Sequence, residues 1–263
     1  MAVFRTGTLA PPVRVHKAAP RLVLDAQLAW AGPFLHVYAK VLPINERSIE
    51  AVCAWLAREV ELPAPEACFL RMHRTRVPKG HPWIFGDSSE EVVFATVAVE
   101  QAQQLVRADG TAVAALIDKW PSLAAAAVFD ELIANDDRTE GNILLGPRSD
   151  LWLIDHTRAL GGAGNRLFST EVAPLFTNFF LQRIAGYSLA QRNGLRAPLM
   201  AACLRLTAAV PRVPYDELLV PENVARQIET FLRQRANRLQ TMILSSIGLP
   251  DLYDGGNASR VAQ

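Results

Sequence analysis

The apolar residues of this chain change their spacing once, and that change limits the folds available to it. Before about Val99, short stretches rich in β-branched and aromatic residues lie between Pro and Gly, a pattern typical of strands and turns. One helical pattern interrupts them, NERSIEAVCAWLAREVEL, for which Asn45 is the expected N-cap. After Val99 the spacing is mostly helical, so we expect an α+β fold with a β-rich first part and a mainly helical second part.

Two short apolar stretches, NILLG and LWLID, predict strands within the helical part, joined by a turn at PRSD. A long apolar helix, SLAAAAVFDELIAN, is expected before them with Ser122 as its N-cap. Further helices are expected at VEQAQQLVRAD, AVAALIDKW, STEVAPLFTNFFLQRIAGY, APLMAACLRLTAAV and PENVARQIETFLRQRANRLQTMILSSIG. We therefore divide the chain into a β-rich unit at 1–100, a helical unit at 101–250 and a flexible tail at 251–263.

Composition excludes several classes of protein. A net charge of +1 over 263 residues gives no electrostatic reason to expect nucleic acid. The 3 cysteines are scattered, which argues against a disulfide scaffold or a cysteine zinc site. No apolar run approaches the roughly 20 residues of a spanning helix, and the N-terminus lacks the apolar stretch of a signal peptide. We expect a cytoplasmic protein that binds neither nucleic acid nor membrane.

Polar side chains stand beside the two short strands at a distinctive spacing. Asp137 and Asn142 form a D-x-x-x-x-N pattern, and Asp155 follows at the end of an apolar strand. This pattern suits phosphoryl transfer, in which one carboxylate orients the attacking hydroxyl while an amide oxygen and a second carboxylate hold magnesium. Asp and Asn are also common in turns, but a charge on an apolar strand is costly without a partner. The neighbouring Asp136 lacks the required spacing to Asn142.

A phosphotransferase of this kind needs a lysine for the nucleotide phosphates and an acidic residue to hold it. Lys40 lies in the apolar strand HVYAKVL, like the strand lysine of the V-A-I-K motif. Glu50 follows on the amphipathic helix, whereas Glu46 and Glu59 are less favoured by distance and register. The sequence therefore predicts an ion pair between Lys40 and Glu50.

A phosphate-covering loop is expected before Lys40. Gly7 lies between Thr6 and Thr8, and the backbone amides and hydroxyls of such a turn can line phosphate oxygens. An ordinary turn explains this single glycine equally well. The G-x-x-x-x-G-K-[ST] pattern of P-loop proteins does not occur in the sequence.

VFDELIANDDRTEGNILL together with LWLIDHTRAL resembles the catalytic core of the HipA-like kinases. That family has an N-x-D loop, an asparagine five residues after the aspartate, and a later metal-binding aspartate. The D-R-x-x-x-N and I-D-H forms are most similar to short, single-domain HipA-related bacterial proteins, and more distantly to phosphatidylinositol kinases. The resemblance is specific over residues 129–160, extends plausibly to 40–50, and is thin elsewhere.

The resemblance implies a two-lobed protein-kinase-like fold with ATP and magnesium between the lobes. Its best-known members are serine/threonine kinases that act as toxins, so a cognate antitoxin or regulatory protein is an implied partner class. The motifs differ from H-R-D and D-F-G of eukaryotic kinases, and no A-P-E follows Asp155, so their regulation does not carry over. By position it implies a base at Asp137 beside Asn135, magnesium ligands at Asn142 and Asp155, and phosphate contacts by Lys40, with Glu50 as the partner of Lys40.

We thus expect an ATP- and magnesium-dependent kinase that acts on a protein serine or threonine hydroxyl. The alternatives are a small-molecule or lipid-headgroup kinase of the same fold, and a catalytically silent kinase-like interaction module. A metal-dependent hydrolase is disfavoured because the sequence has no H-E-x-x-H or comparable ligand spacing. The roles of Arg138 and His156 stay open between structure and function, and Ser169 and Thr170 are candidate modification sites.

Overall fold

The computed structural model describes residues 4–17, 22–76, 88–161 and 177–250. Five strands form a closed barrel in the order β1-β2-β3-β5-β4, in which only the β1–β4 pairing is parallel. The strands are β1 (Arg5–Lys17), β2 (Leu22–Ala29), β3 (Leu35–Val41), β4 (Ala67–His73) and β5 (Glu90–Val97).

Alternation along the strands determines which side chains enter the barrel. In β2, every second side chain from Leu22 to Leu28 is buried inside. The same alternation in β3 places Val37 and Ala39 inside and projects Lys40 out of the barrel.

Helix α1 (Ile44–Glu59) follows β3 directly. It begins after Pro43, whose carbonyl accepts a hydrogen bond from the amide of Arg47. The prediction of Asn45 as the N-cap is wrong, because the extended Pro43 starts the helix two residues earlier and Asn45 lies in the first turn. The buried face of α1 includes Ile49, Cys53 and the carboxylate-bearing Glu50.

The remaining part of the described chain is mainly helical. A small antiparallel sheet lies within it, in the order β6-β7-β8. Its strands are β6 (Gln103–Gln104), β7 (Ile143–Leu145) and β8 (Leu151–Leu153). The helices are α2 (Gly110–Asp118), α3 (Leu123–Leu132), α4 (Phe179–Ala185), α5 (Leu189–Ala209), α6 (Glu222–Ala236) and α7 (Leu239–Ser246).

Two helix predictions need correction. VEQAQQLVRAD is not an α-helix, because Gln103 and Gln104 pair with Leu145 and Leu144 and the chain then makes only a 3₁₀ turn at Leu105–Arg107. The last predicted helix is divided at residues 237–238 into α6 and α7. The predicted tail 251–263, together with Ser169 and Thr170, lies outside the described residues.

The mixed α+β class is confirmed. The buried apolar side chains of the described residues form two clusters. One cluster fills the barrel. The larger joins the helical part to α1 and to outward-facing aromatic side chains of the barrel, Phe69 and Phe94. In the described chain no single helix is long and apolar enough to span a membrane; only α2 and α3 together have such a composition, and they meet at 85°.

Candidate active site

Lys40, Glu50 and Asp155 meet outside the barrel wall. The Lys40 ammonium donates to Glu50 Oε1 and lies 3.3 Å from Asp155 Oδ1. Only 14% of the lysine side chain and 3% of the glutamate side chain are exposed. Three separate segments (β3, α1 and the chain after β8) therefore contribute one charged group each to this cluster.

The charges of this cluster stabilise one another against desolvation. Burial lowers the pKa of Lys40, but the carboxylates of Glu50 and Asp155 outweigh this effect and raise the pKa above its usual value. Burial raises the pKa of Glu50, whereas Lys40 and His156 bring it below the usual value. The pKa of Asp155 is also lowered, because Lys40 and the Thr157 hydroxyl overcome its burial. All three groups are therefore ionised at neutral pH, with one negative charge in excess, which favours a bound cation.

The segment after β8 directs Asp155 into the cluster. Asp155 has a left-handed backbone with φ of 58°, a conformation that Asp tolerates better than most residues. The Thr157 hydroxyl donates to Asp155 Oδ1 over 2.8 Å. The amide of Ile154 donates to the Asn142 carbonyl over 3.1 Å, which brings the Asn142 segment beside Asp155.

Two asparagines hold the backbone of Asp137. The Asp137 amide donates to Asn135 Oδ1 over 3.3 Å, and the Asn142 side-chain amide donates to the Asp137 carbonyl over 2.7 Å. Asn135 is fully buried and donates to Asp130 Oδ1. The carboxylate of Asp137 is itself 38% exposed, so it is fixed at its base but accessible at its tip.

A buried ion pair connects this loop to the Asp155 segment. Arg138 donates from two nitrogens to Asp130, over 2.8 and 3.0 Å, and both side chains are fully buried. Its Nη1 also donates to the carbonyls of Asn142 and Ile154, over 2.9 and 2.8 Å. Arg138 is therefore a structural link between the two segments. Sequence reasoning missed Asp130, although a carboxylate within an apolar helix already indicated a buried partner.

Arg158 lies at the accessible side of the site. Its Nε is 3.5 Å from Asp136 Oδ1 and its Nη1 is 3.7 Å from Asp137 Oδ1. All three side chains are partly exposed. A cation beside two adjacent carboxylates limits their repulsion.

The structure does not bring Gly7 and Thr8 to this cluster. Both lie within β1, so the expected loop at these residues is wrong. Thr8 pairs with Ala29, whereas Lys40 pairs with Val23, six residues away on β2, which corresponds to about 20 Å along a strand. A Cβ on Gly7 would lie 2.2 Å from the Ala29 carbonyl oxygen, so this glycine permits close approach of β1 and β2.

Known proteins place this architecture in the kinase class. A family model described as HipA-like kinase matches residues 32–243, so the expected resemblance is confirmed: the chain belongs to the HipA-like kinase family. The crystal structure of a Helicobacter pylori proinflammatory kinase, CtkA, is similar over 93% of this chain and 98% of that one, with a TM-score of 0.57 and 12% identity. At that identity the likeness concerns the fold alone. No curated protein matches the chain.

Proposed function

We propose that this kinase transfers the γ-phosphoryl group of magnesium-bound ATP to a serine or threonine hydroxyl of a protein. The observation that carries the proposal is the buried ammonium of Lys40, which is held by Glu50 and also contacts Asp155. This arrangement places the Lys40 ammonium, which can bind phosphate, beside the Asp155 carboxylate, which can bind magnesium. In this proposal residues 1–100 and 101–250 act as two lobes, with the nucleotide between them.

The residues present fit a magnesium ion shared with phosphates. Asn142 uses its amide nitrogen on the Asp137 carbonyl, which leaves its amide oxygen for the ion. Asp155 engages Lys40 and Thr157 through Oδ1, and its Oδ2 has no hydrogen-bond partner among the described residues. No group of three His, Cys, Asp or Glu side chains in the described ranges has metal-site geometry, but magnesium on a nucleotide takes only one or two protein ligands and completes its shell with water and phosphate.

Each side chain then has a defined task. When bound, magnesium–ATP supplies the phosphoryl group and a divalent charge against the phosphate oxygens. Lys40 keeps its tight contact with Glu50 and exchanges the longer contact with Asp155 for phosphate oxygens. Asp137 accepts the proton of the attacking hydroxyl at its exposed carboxylate, which Asn135 and Asn142 hold in place through the backbone.

The test is incubation of the purified protein with γ-labelled ATP, magnesium and a cell lysate, followed by analysis of proteins and small molecules. We expect label on a protein serine or threonine with the wild type. Asp137→Asn should lower turnover by about 10²- to 10⁴-fold, the range for a lost general base, while calorimetry shows unchanged ATP affinity.

Asp136→Asn is the matched control, since it removes an adjacent carboxylate of similar exposure and should keep most of the activity. Full turnover in Asp137→Asn would remove this residue from the role of base. Label confined to small molecules would indicate a metabolite or lipid-headgroup kinase, and no transfer to any acceptor would indicate a silent module.

A further inference from the structure

His156 lies next to Glu50 of the Lys40 cluster, and the mechanism above gives it no role. It is only 3% exposed, and its Nδ1 lies 3.6 Å from Glu50 Oε2. Its ring packs edge-on against Phe129, with centroids 5.5 Å apart and an interplanar angle of 88°. The side chain is therefore fixed by packing on one side and faces a buried carboxylate on the other.

These contacts close a loop of four residues. Glu50 directs Oε1 to Lys40 and Oε2 to His156, while Lys40 also contacts Asp155, the residue that precedes His156 in the chain. Helix α1 is thus connected to the segment after β8 by two routes, one through Lys40 and one through His156.

The surroundings of His156 indicate which nitrogen carries the proton. Within the described part of the chain, its buried Nε2 has no hydrogen-bond partner. A buried N–H without an acceptor is costly, so the ring fits best with a hydrogen on Nδ1, which then points towards Glu50 Oε2. The 3.6 Å separation exceeds ordinary hydrogen-bond length, but such contacts often shorten when substrate binds.

We propose that His156 is a positioning residue that acts through Glu50 on Lys40, an inference that rests on the proposed function. When Lys40 turns from Asp155 to the phosphates, the route through Lys40 is broken. The route through His156 then keeps the Glu50 carboxylate in place and α1 attached to the magnesium-binding segment. If His156 served only to fill volume beside Phe129, a hydrogen-bond donor facing Glu50 would not be needed.

The test compares variants of the full chain by kcat/KM for ATP and by nucleotide affinity. His156→Phe retains the ring beside Phe129 and removes the donor, and we expect a loss of about 10- to 100-fold, the range found when a residue that orients a metal ligand is removed. His156→Asn places an amide where Nδ1 lies and should recover most activity, whereas His156→Gln places it at the position of Nε2 and should not. His73→Phe, on an exposed histidine at the end of β4, is the control.

A double-mutant cycle with Glu50→Gln separates positioning from general destabilisation. If His156 acts through Glu50, adding His156→Phe to Glu50→Gln causes little further loss. Three outcomes would each overturn the inference. The losses of Glu50→Gln and His156→Phe could multiply in the double variant, His156→Phe could stay within twofold of wild type, or the Asn and Gln variants could be equally active.

The same readouts distinguish this inference from the proposed function. A wild type that binds ATP but transfers no phosphate refutes the proposed function, and the variants then test His156 through nucleotide affinity alone. A wild type that transfers phosphate with His156→Phe unchanged refutes only the role of His156. A wild type that does not bind ATP refutes both.

Discussion

The carboxylate of Asp155 illustrates how single residues are maintained in an unfavourable environment. It is largely buried and carries a left-handed backbone, yet the Lys40 ammonium and the Thr157 hydroxyl keep it ionised. Strain and buried charge of this kind tend to occur at functional sites. The same contacts engage one oxygen, and the other is the atom that we propose binds magnesium.

Replacement of this carboxylate should separate magnesium binding from nucleotide binding. Asp155→Asn has the same shape but no charge, so we expect magnesium to lose its effect on ATP affinity. Calorimetric titrations of ATP with and without magnesium measure that difference. Asp150→Asn makes the same chemical change at the turn before β8 and should leave the magnesium effect intact. A full magnesium effect in Asp155→Asn would exclude Asp155 as a ligand.

The Asp130–Arg138 pair should be important for stability as well as for geometry. Arg138→Met leaves a fully buried carboxylate without its partner, which typically lowers the free energy of unfolding by about 3–5 kcal/mol. Urea unfolding measures the loss, and the double variant Asp130→Leu/Arg138→Met should recover part of it because no lone charge remains.

The matched control for that pair is Arg226→Met, which breaks an exposed pair with Glu222 on α6. Exposed pairs contribute at most about 1 kcal/mol, so we expect a small effect. Equal losses in the Arg138 and Arg226 variants would contradict the proposed importance of burial.

Among the elements, α5 shows how a helix can retain an unfavourable residue. Its start is stabilised by a capping box between Ser188 and Gln191, but Gly194 lies inside the helix. An added Cβ at Gly194 would meet nothing within 4 Å, since it faces a pocket of about 320 Å³ beside Trp120 and Tyr187. The glycine is therefore not required by local packing.

Gly194→Ala should raise the free energy of unfolding by about 0.5–1 kcal/mol, the usual gain of alanine over glycine inside a helix. Urea unfolding measures the change. Gly7→Ala provides the contrast, because its methyl would collide with the Ala29 carbonyl and should destabilise the barrel. A destabilised Gly194→Ala variant would show that the pocket wall has a packing role.

Individual elements were more predictable than their pairing. The strands HVYAKVL and LWLID and helix α1 were readable from apolar spacing, because their local periodicity is strong. The pairing of β1 with β4 could not be predicted from the sequence, because it joins residues such as Thr6 and Phe69 that are far apart in the chain. The stretch that forms β6 was predicted as a helix because its apolar residues fit helical spacing. A 3₁₀ turn also buries an apolar residue, here Leu105, so the spacing alone does not distinguish the two.

At the scale of the whole molecule, the larger apolar core crosses the expected boundary at residue 100. Helix α1 belongs to the first part by sequence, yet Val52 and Leu56 share a cluster with Phe129 of α3. The sequence predicted which residues form the Lys40–Glu50 pair, but not that α1 would pack on both parts. The loop predicted at Gly7 is wrong because a single glycine can serve either a loop or a close contact between strands, and the sequence does not distinguish the two.

Closure of the barrel also limits how the proposed protein acceptor could be bound. Recognition by strand addition requires a row of backbone amides and carbonyls without partners. Each of the five described barrel strands already has a neighbour on both sides. For the proposed protein acceptor, we therefore do not expect strand addition to the barrel, and we expect exposed side chains such as Arg158 to contribute to its recognition.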